Sequence, residues 1–239
     1  MTLRSQNKQP IVFCDFDGTI TIKDNIVAIM RHFDPPGWAD TVDDIISKRR
    51  SIRDGVTALF ASLPASRKEE IIRYSVDNAE IRPGFRELLD ACRKLNIPFY
   101  VVSGGIDFFI RPLLAQFPIA PEHVYCNEGH FDSEYIRIEW PHACDEHCSN
   151  DCGTCKPRIM RQFAPQHYYR IVIGDSITDF EAAKAADYVF ARSHLLEQCK
   201  TNGIPYEAFE DFHSVAQSLQ QLHTRLLQEG ASIRKTEES

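Results

Sequence analysis

The sequence predicts an α/β protein, an open parallel sheet flanked by helices with a small helical cap inserted after the first strand. Three observations lead there. Short apolar, β-branched runs at residues 11–14, 98–102 and 168–173 have strand length, and each ends abruptly in polar residues and glycine. Helix-period segments lie between these runs, the alternation that makes neighbouring strands parallel. Residues 24–80 repeat their apolar positions at intervals of three and four and carry no strand pattern.

The first run, IVFC, leads directly into Asp15, Phe16, Asp17, Gly18 and Thr19. Carboxylates at i and i+2 on an extended backbone project to the same side. At the carboxyl end of a strand they enter the crevice where open α/β sheets bind ligands. The next segment places Ile26, Ile29, Met30 and Phe33, then Val42, Ile45 and Ile46, then Val56, Leu59, Phe60 and Leu63, then Ile71, Ile72 and Val76 on successive helix faces. Its breaks fall at Pro35-Pro36-Gly37 and at Pro64. About 55 helical residues exceed what one crossover needs, so 24–80 is expected as the cap, and 1–23 with 81–239 as the core.

A helix over 85–95 is expected to feed the second strand, 98–102, which ends at Ser103-Gly104-Gly105 before a helix from 106 to 117. Strand, glycine turn and helix N-terminus together form an anion site, or more plainly a helix capped by Ser103. Residues 124–140 read as a hairpin around Asp132-Ser133-Glu134, followed by a cysteine cluster that completes a 124–156 excursion from the core. Lys156-Pro157 precedes a short helix near 158–163. The third strand, 168–173, runs into Gly174-Asp175-Ser176-Ile177-Thr178-Asp179 and a helix through Ala186. A fourth strand at 188–191 and a helix beginning near 209–212 complete the chain, with fraying expected beyond Arg225 and disorder at Glu238 and Ser239.

The net charge of -7 is spread through 239 residues, which argues against a nucleic-acid surface because that requires a clustered basic face. No apolar run reaches membrane-spanning length, and the first ten residues are polar without the hydrophobic segment of a signal peptide, so the expected location is the cytoplasm. The sequence carries no signature of a particular oligomeric state.

Parallel strands share one carboxyl edge, which collects Asp15, Asp17, Ser103, Lys156, Asp175 and Asp179. Carboxylates crowded into one crevice raise each other's pKa unless a cation sits among them, and a hard divalent ion, magnesium, suits an all-oxygen donor set. In order and spacing, D-F-D-G-T, S-G-G, the lysine and G-D-S-I-T-D resemble the four signature motifs of the haloacid dehalogenase superfamily, and the match runs over most of the chain. The position of the helical insert resembles the phosphoserine-phosphatase-like branch. The resemblance implies a Rossmann-like core and phosphoryl transfer to Asp15 as nucleophile, with Asp17 as general acid and base. It further implies Lys156, Ser103, Gly104, Gly18 and Thr19 around the phosphate, and Asp15, Asp17, Asp175 and Asp179 around magnesium.

Within that branch, FCDFDGTIT, VVSGGIDFF, YCNEGHFD and the cysteine-rich run resemble members that dephosphorylate a 2-hydroxy-3-keto enol phosphate. Phosphoserine, phosphoethanolamine and phosphocholine are the rival small phosphorylated metabolites. Phosphoserine phosphatases place a glutamate soon after the first motif and an arginine in the cap. Here Asp24 stands near the first position and Gly55 in the register of the second, with Arg53 close by. Asp24 and Arg53 are therefore the cap candidates for substrate binding. Phe33 and Trp38 suit either an amine-binding cage or the packing of the cap itself.

Cys144, Cys148, Cys152 and Cys155 are spaced C-x3-C-x3-C-x2-C between His142 and Lys156, with His147 inside the run. A structural zinc site, disulfides and free thiols are all open for this spacing. Taking the cluster as the centre gives a different functional class, a zinc-stabilised binding module without catalysis. Cys14, Cys92, Cys126 and Cys199 stand among apolar neighbours and read as buried thiols of a reducing compartment.

Overall fold

The computed structural model describes residues 8–148 and 150–237, with side chains to 229; Glu238 and Ser239, expected to be disordered, lie outside the described residues. In chain order the elements are β1 (Gln9–Cys14), α1 (Asn25–Phe33), α2 (Trp38–Ile46), α3 (Ile52–Ala61), α4 (Lys68–Asn78), α5 (Phe85–Lys94), β2 (Phe99–Ile106) and α6 (Asp107–Leu114). There follow β3 (Val124–His130), β4 (Arg137–Glu139), α7 (Lys156–Arg161), β5 (Tyr168–Gly174), α8 (Phe180–Lys184), β6 (Tyr188–Ala191), α9 (Ser193–Asn202), β7 (Glu207–Ala208) and α10 (Phe212–Glu237). The seven strands form one sheet in the order β4-β3-β2-β1-β5-β6-β7. β2–β3, β5–β6 and β6–β7 pair in parallel, and the edge strand β4 pairs antiparallel with β3, in the hairpin expected after residue 124.

The chain divides into two compact units. One draws on Met1–Phe13, Arg82–Phe99 and Met160–Ser239, the other on Cys14–Ile81 and Tyr100–Ile159. In the first, Ile171, Val172 and Ile173 of β5 are buried, and α10 packs on α5 through Phe212 and Phe85, whose ring centroids are 5.3 Å apart. Gly84 begins α5 at φ +83, and a Cβ there would lie 2.3 Å from the His213 backbone nitrogen. Both the left-handed backbone and the close approach require glycine. Gly84→Ala is therefore expected to cost about 2–4 kcal/mol in urea denaturation, the sum of the strained backbone and the displaced helix. A loss below about 0.5 kcal/mol would refute that account.

In the second unit, described residues 24–80 hold four α-helices and no strand. Ile29, Met30, Leu59, Phe60, Leu63 and Ile71, all from the predicted helix faces, are buried. Helix α2 packs on α3 at Gly55, where a Cβ would fall 2.3 Å from Ile45. Phe60 of α3 meets Phe108 of α6 edge-on at 5.8 Å.

Two expectations need correction. β2 does not stop at Val102 but continues through Ser103-Gly104-Gly105 to Ile106, with a slip in its register against β3. The backbone stays extended because side chains supply partners there. Asn127 Nδ2 donates to the carbonyls of Gly104 (2.8 Å) and Gly105 (3.3 Å), and the Gly105 N–H donates to Ser103 Oγ (2.9 Å). Helix α6 accordingly starts at Asp107, so the glycines do not form its N-terminus. At the other end α10 continues past Arg225 to Glu237. Among the described residues no helix is long and apolar enough to cross a membrane.

Candidate active site

The apolar face of β1 is fully buried through Cys14, which delivers Asp15 to the strand's end at 6% exposure. Asp15 keeps an extended backbone, Phe16 turns wholly inward, and Gly18 adopts φ +77. That left-handed residue reverses the chain, so that the Thr21 N–H returns to the Phe16 carbonyl at 2.9 Å. The hydroxyl of Thr19, itself buried, faces Asp15 Oδ2 at 3.5 Å.

Lys156 is the first residue of α7 and lies 141 positions from Asp15, yet its Nζ donates to Asp15 Oδ1 at 2.6 Å. The two side chains are 5% and 6% exposed. Buried charges of this kind persist only when paired and hydrogen-bonded. The pair therefore presents a buried carboxylate with an ammonium directly against it.

Asp17 is held differently. Its Oδ1 accepts the backbone N–H of Asn25 at 2.9 Å and the Asn25 side-chain amide at 2.6 Å. Its Oδ2 occupies the space beside Gly105, where a Cβ would come within 2.5 Å. Gly105 is thus a glycine because the second carboxylate needs that room. Beside Gly104, by contrast, a Cβ would meet nothing within 4 Å, so its backbone borders open space. Ser103 is fully buried and its hydroxyl, after accepting from Gly105, still has a proton to donate.

Asn25, Asn127 and Thr154 were not among the residues expected from sequence. Asn127, wholly buried, ties the Ser103–Gly105 segment down and is itself oriented by the Thr154 hydroxyl, which donates to Asn127 Oδ1 at 2.8 Å. Asn25 had a signal: it shares the apolar face of α1 with Ile29, one turn on. Asn127 and Thr154 had none stronger than being polar residues between buried neighbours. Next to Asn127, burial pushes the Cys126 thiol up to about 12, which keeps it protonated.

In the other unit, Asp175 and Asp179 follow β5. Asp179 Oδ2 accepts from the backbone N–H of Asp175 (3.1 Å), the N–H of Ser176 (3.0 Å) and the Ser176 hydroxyl (3.1 Å). Ser176 and Asp179 form a reciprocal cap on the following turn. Gly174 leaves room for this carboxylate, since a Cβ there would lie 2.4 Å from Asp179 Cγ. One oxygen of Asp179 thereby shapes the loop that presents Asp175.

The cap candidates have other partners. Asp24 accepts the Val27 N–H at 2.9 Å and caps α1. Arg53 Nε pairs with Asp151 Oδ1 at 3.0 Å, and its backbone N–H donates to the Asp151 carbonyl at 3.2 Å. In the cysteine loop, Cys144 Sγ lies 3.6 Å from Cys148 Sγ and 3.7 Å from Cys152 Sγ, and Cys155 is fully buried against them. All eight thiols are free. His142 is held below the usual imidazole range by burial and then by Arg158, so it is neutral at pH 7.

The sequence profile of the haloacid dehalogenase-like hydrolases matches residues 12–184. A 2-hydroxy-3-keto-5-methylthiopentenyl-1-phosphate phosphatase from Brevibacillus brevis is 49% identical over 92% of this chain and 100% of its own length. A phosphatase of the same name from Geobacillus kaustophilus is 50% identical over 90% of this chain and 97% of its own. Among solved structures, a phospho-aspartyl intermediate analogue of phosphoserine phosphatase superposes with a TM-score of 0.67, covering 89% of this chain and 99% of that one at 15% identity. The last likeness is one of fold.

Proposed function

Because the chain belongs to the haloacid dehalogenase-like hydrolase family, we propose that it is a magnesium-dependent phosphomonoesterase acting through an aspartyl-phosphate. Its substrate in this reading is 2-hydroxy-3-keto-5-methylthiopentenyl-1-phosphate, an intermediate of methionine salvage in the cytoplasm. The observation that carries the reaction class is the buried Lys156–Asp15 pair at 2.6 Å, beside an Asp17 held by Asn25. Identity near 50% over almost the whole length of two phosphatases of that name supports the substrate.

In the first step an Asp15 carboxylate oxygen forms a bond to phosphorus as the bond to the enol oxygen breaks, and Asp17 gives its proton to that leaving oxygen. In the second, Asp17 takes a proton from water, which attacks the same phosphorus and frees Asp15. Lys156 offsets the charge of Asp15 so that an anionic phosphate can approach it. The Ser103 hydroxyl and the Gly104 N–H, together with Gly18 and Thr19, supply the fixed donors that phosphoryl transfer requires. The donor set fits magnesium in being carboxylate and carbonyl oxygen alone. Asp15, the Asp17 carbonyl, Asp175 and Asp179 would hold it, and when bound it neutralises phosphate charge. Residues 24–80 act as the cap over this site.

A phosphoserine substrate would need a cationic partner for its carboxylate. Position 55 offers none, because glycine there accommodates Ile45, and the neighbouring Arg53 is paired with Asp151. With magnesium present, kcat/KM for the enol phosphate is expected to exceed that for phosphoserine by at least ~100-fold, about 2.7 kcal/mol in transition-state binding. A preference for phosphoserine overturns the substrate assignment.

A further inference from the structure

We propose that Cys144, Cys148, Cys152 and Cys155 bind one zinc ion, separate from the magnesium chemistry, and that this ion sets the position of Lys156. The sulfur spacing is the first reason. Separations of 3.6 and 3.7 Å are far too long for a disulfide bond. They approach the edge of a tetrahedron with zinc–sulfur bonds of ~2.3 Å, about 3.8 Å. Cys144, Cys148 and Cys152 form one metal-sized group, and the Cys155 thiol contacts both Cys144 and Cys148. Backbone amides also point at the sulfurs, the Cys152 N–H at Cys144 and the Arg158 N–H at Cys155, as they do around bound thiolates.

The loop's build is the second reason. Between β4 and α7 its described residues form no helix or strand, and its chain curls through left-handed Asp151 (φ +48) and Gly153 (φ +78). Gly153 lies against the Trp140 ring, where a Cβ would fall 2.3 Å from the nearest ring carbon. Such a segment has little apolar burial to order it, whereas a cation bridging four points along it would. Sulfur is a soft donor, so the site selects zinc and leaves magnesium to the oxygen ligands elsewhere.

The loop's outward contacts give the site its consequence. Asp151 holds Arg53 of α3, Thr154 orients Asn127 and through it the Gly104 and Gly105 carbonyls, and Lys156 follows Cys155 directly. Zinc bound here would fix one side of the phosphate pocket and the start of α3 together.

The test is elemental analysis of the full-length chain purified under reducing conditions, with cobalt as a spectroscopic substitute. About one zinc per chain and a thiolate-to-cobalt charge-transfer absorption are expected, both unaffected by excess magnesium. Cys148→Ser, at a half-buried position, should weaken metal retention by at least ~10-fold, reduce that absorption and lower the melting temperature. A folded, reduced chain with neither zinc nor the cobalt–thiolate band overturns the proposal, whatever the variant does. A disulfide within the cluster in the freshly purified protein also overturns it. None of these readouts depends on phosphatase turnover.

Discussion

Asp15→Asn is expected to lower turnover of the enol phosphate by at least ~10,000-fold, about 5.4 kcal/mol of transition-state stabilisation, to the limit of detection. The substitution keeps the size and planarity of the side chain but removes the attacking oxygen's charge, and an amide does not form the acyl phosphate. Because Lys156 donates to this carboxylate inside a buried pocket, the variant should also unfold at a lower temperature. Phosphate-release kinetics with magnesium, beside thermal unfolding of the same preparation, measure the two effects. Turnover within about tenfold of the parent would remove Asp15 as nucleophile and favour the view of the chain as a zinc-stabilised binding module without catalysis.

Lys156→Met, which keeps most of the length of the side chain and discards its charge, is expected to lower kcat by ~100- to 1,000-fold, the usual effect of deleting one fixed charge-stabilising donor. It leaves the Asp15 carboxylate in a site of 6% exposure without the ammonium that pairs with it at 2.6 Å, so stability should fall by roughly 3–5 kcal/mol. The double variant Asp15→Asn/Lys156→Met separates the two consequences. With both charges gone it should be more stable than Lys156→Met alone while remaining inactive. If Lys156→Met keeps full kcat, the lysine is a structural counter-ion only. If the double variant is no more stable than the single one, the pair is not the coupled unit described here.

Much of the fold was readable because it rests on local repetition. Helices α1 and α3 bury the face that a spacing of three and four picks out, whereas α4 buries Ile71 but exposes Val76 and α2 buries none of Val42, Ile45 and Ile46; β5 and β6 occupy the runs that end in Gly174 and Ala191. The Ser103-Gly104-Gly105 segment was misread because glycines after a strand signal a turn when only neighbours are considered. Here the deciding partner is Asn127, more than twenty positions away. Likewise Arg53 looked available to a ligand until its partner Asp151 came from a distant loop.

By itself, then, the order of residues determined most of the strands and helices, though not α9 or β7, the acidic residues after β1 and β5, and the insertion between the first two strands. These follow from side-chain size, branching and polarity read over a few neighbours. Tertiary structure alone decided which polar groups are spent on holding the protein together: Asn25 on Asp17, Asn127 and Thr154 on the glycine strand, and Asp151 on Arg53. The reason is that a buried donor or acceptor must find a partner wherever the folded chain supplies one, and distance along the sequence places almost no limit on where that is.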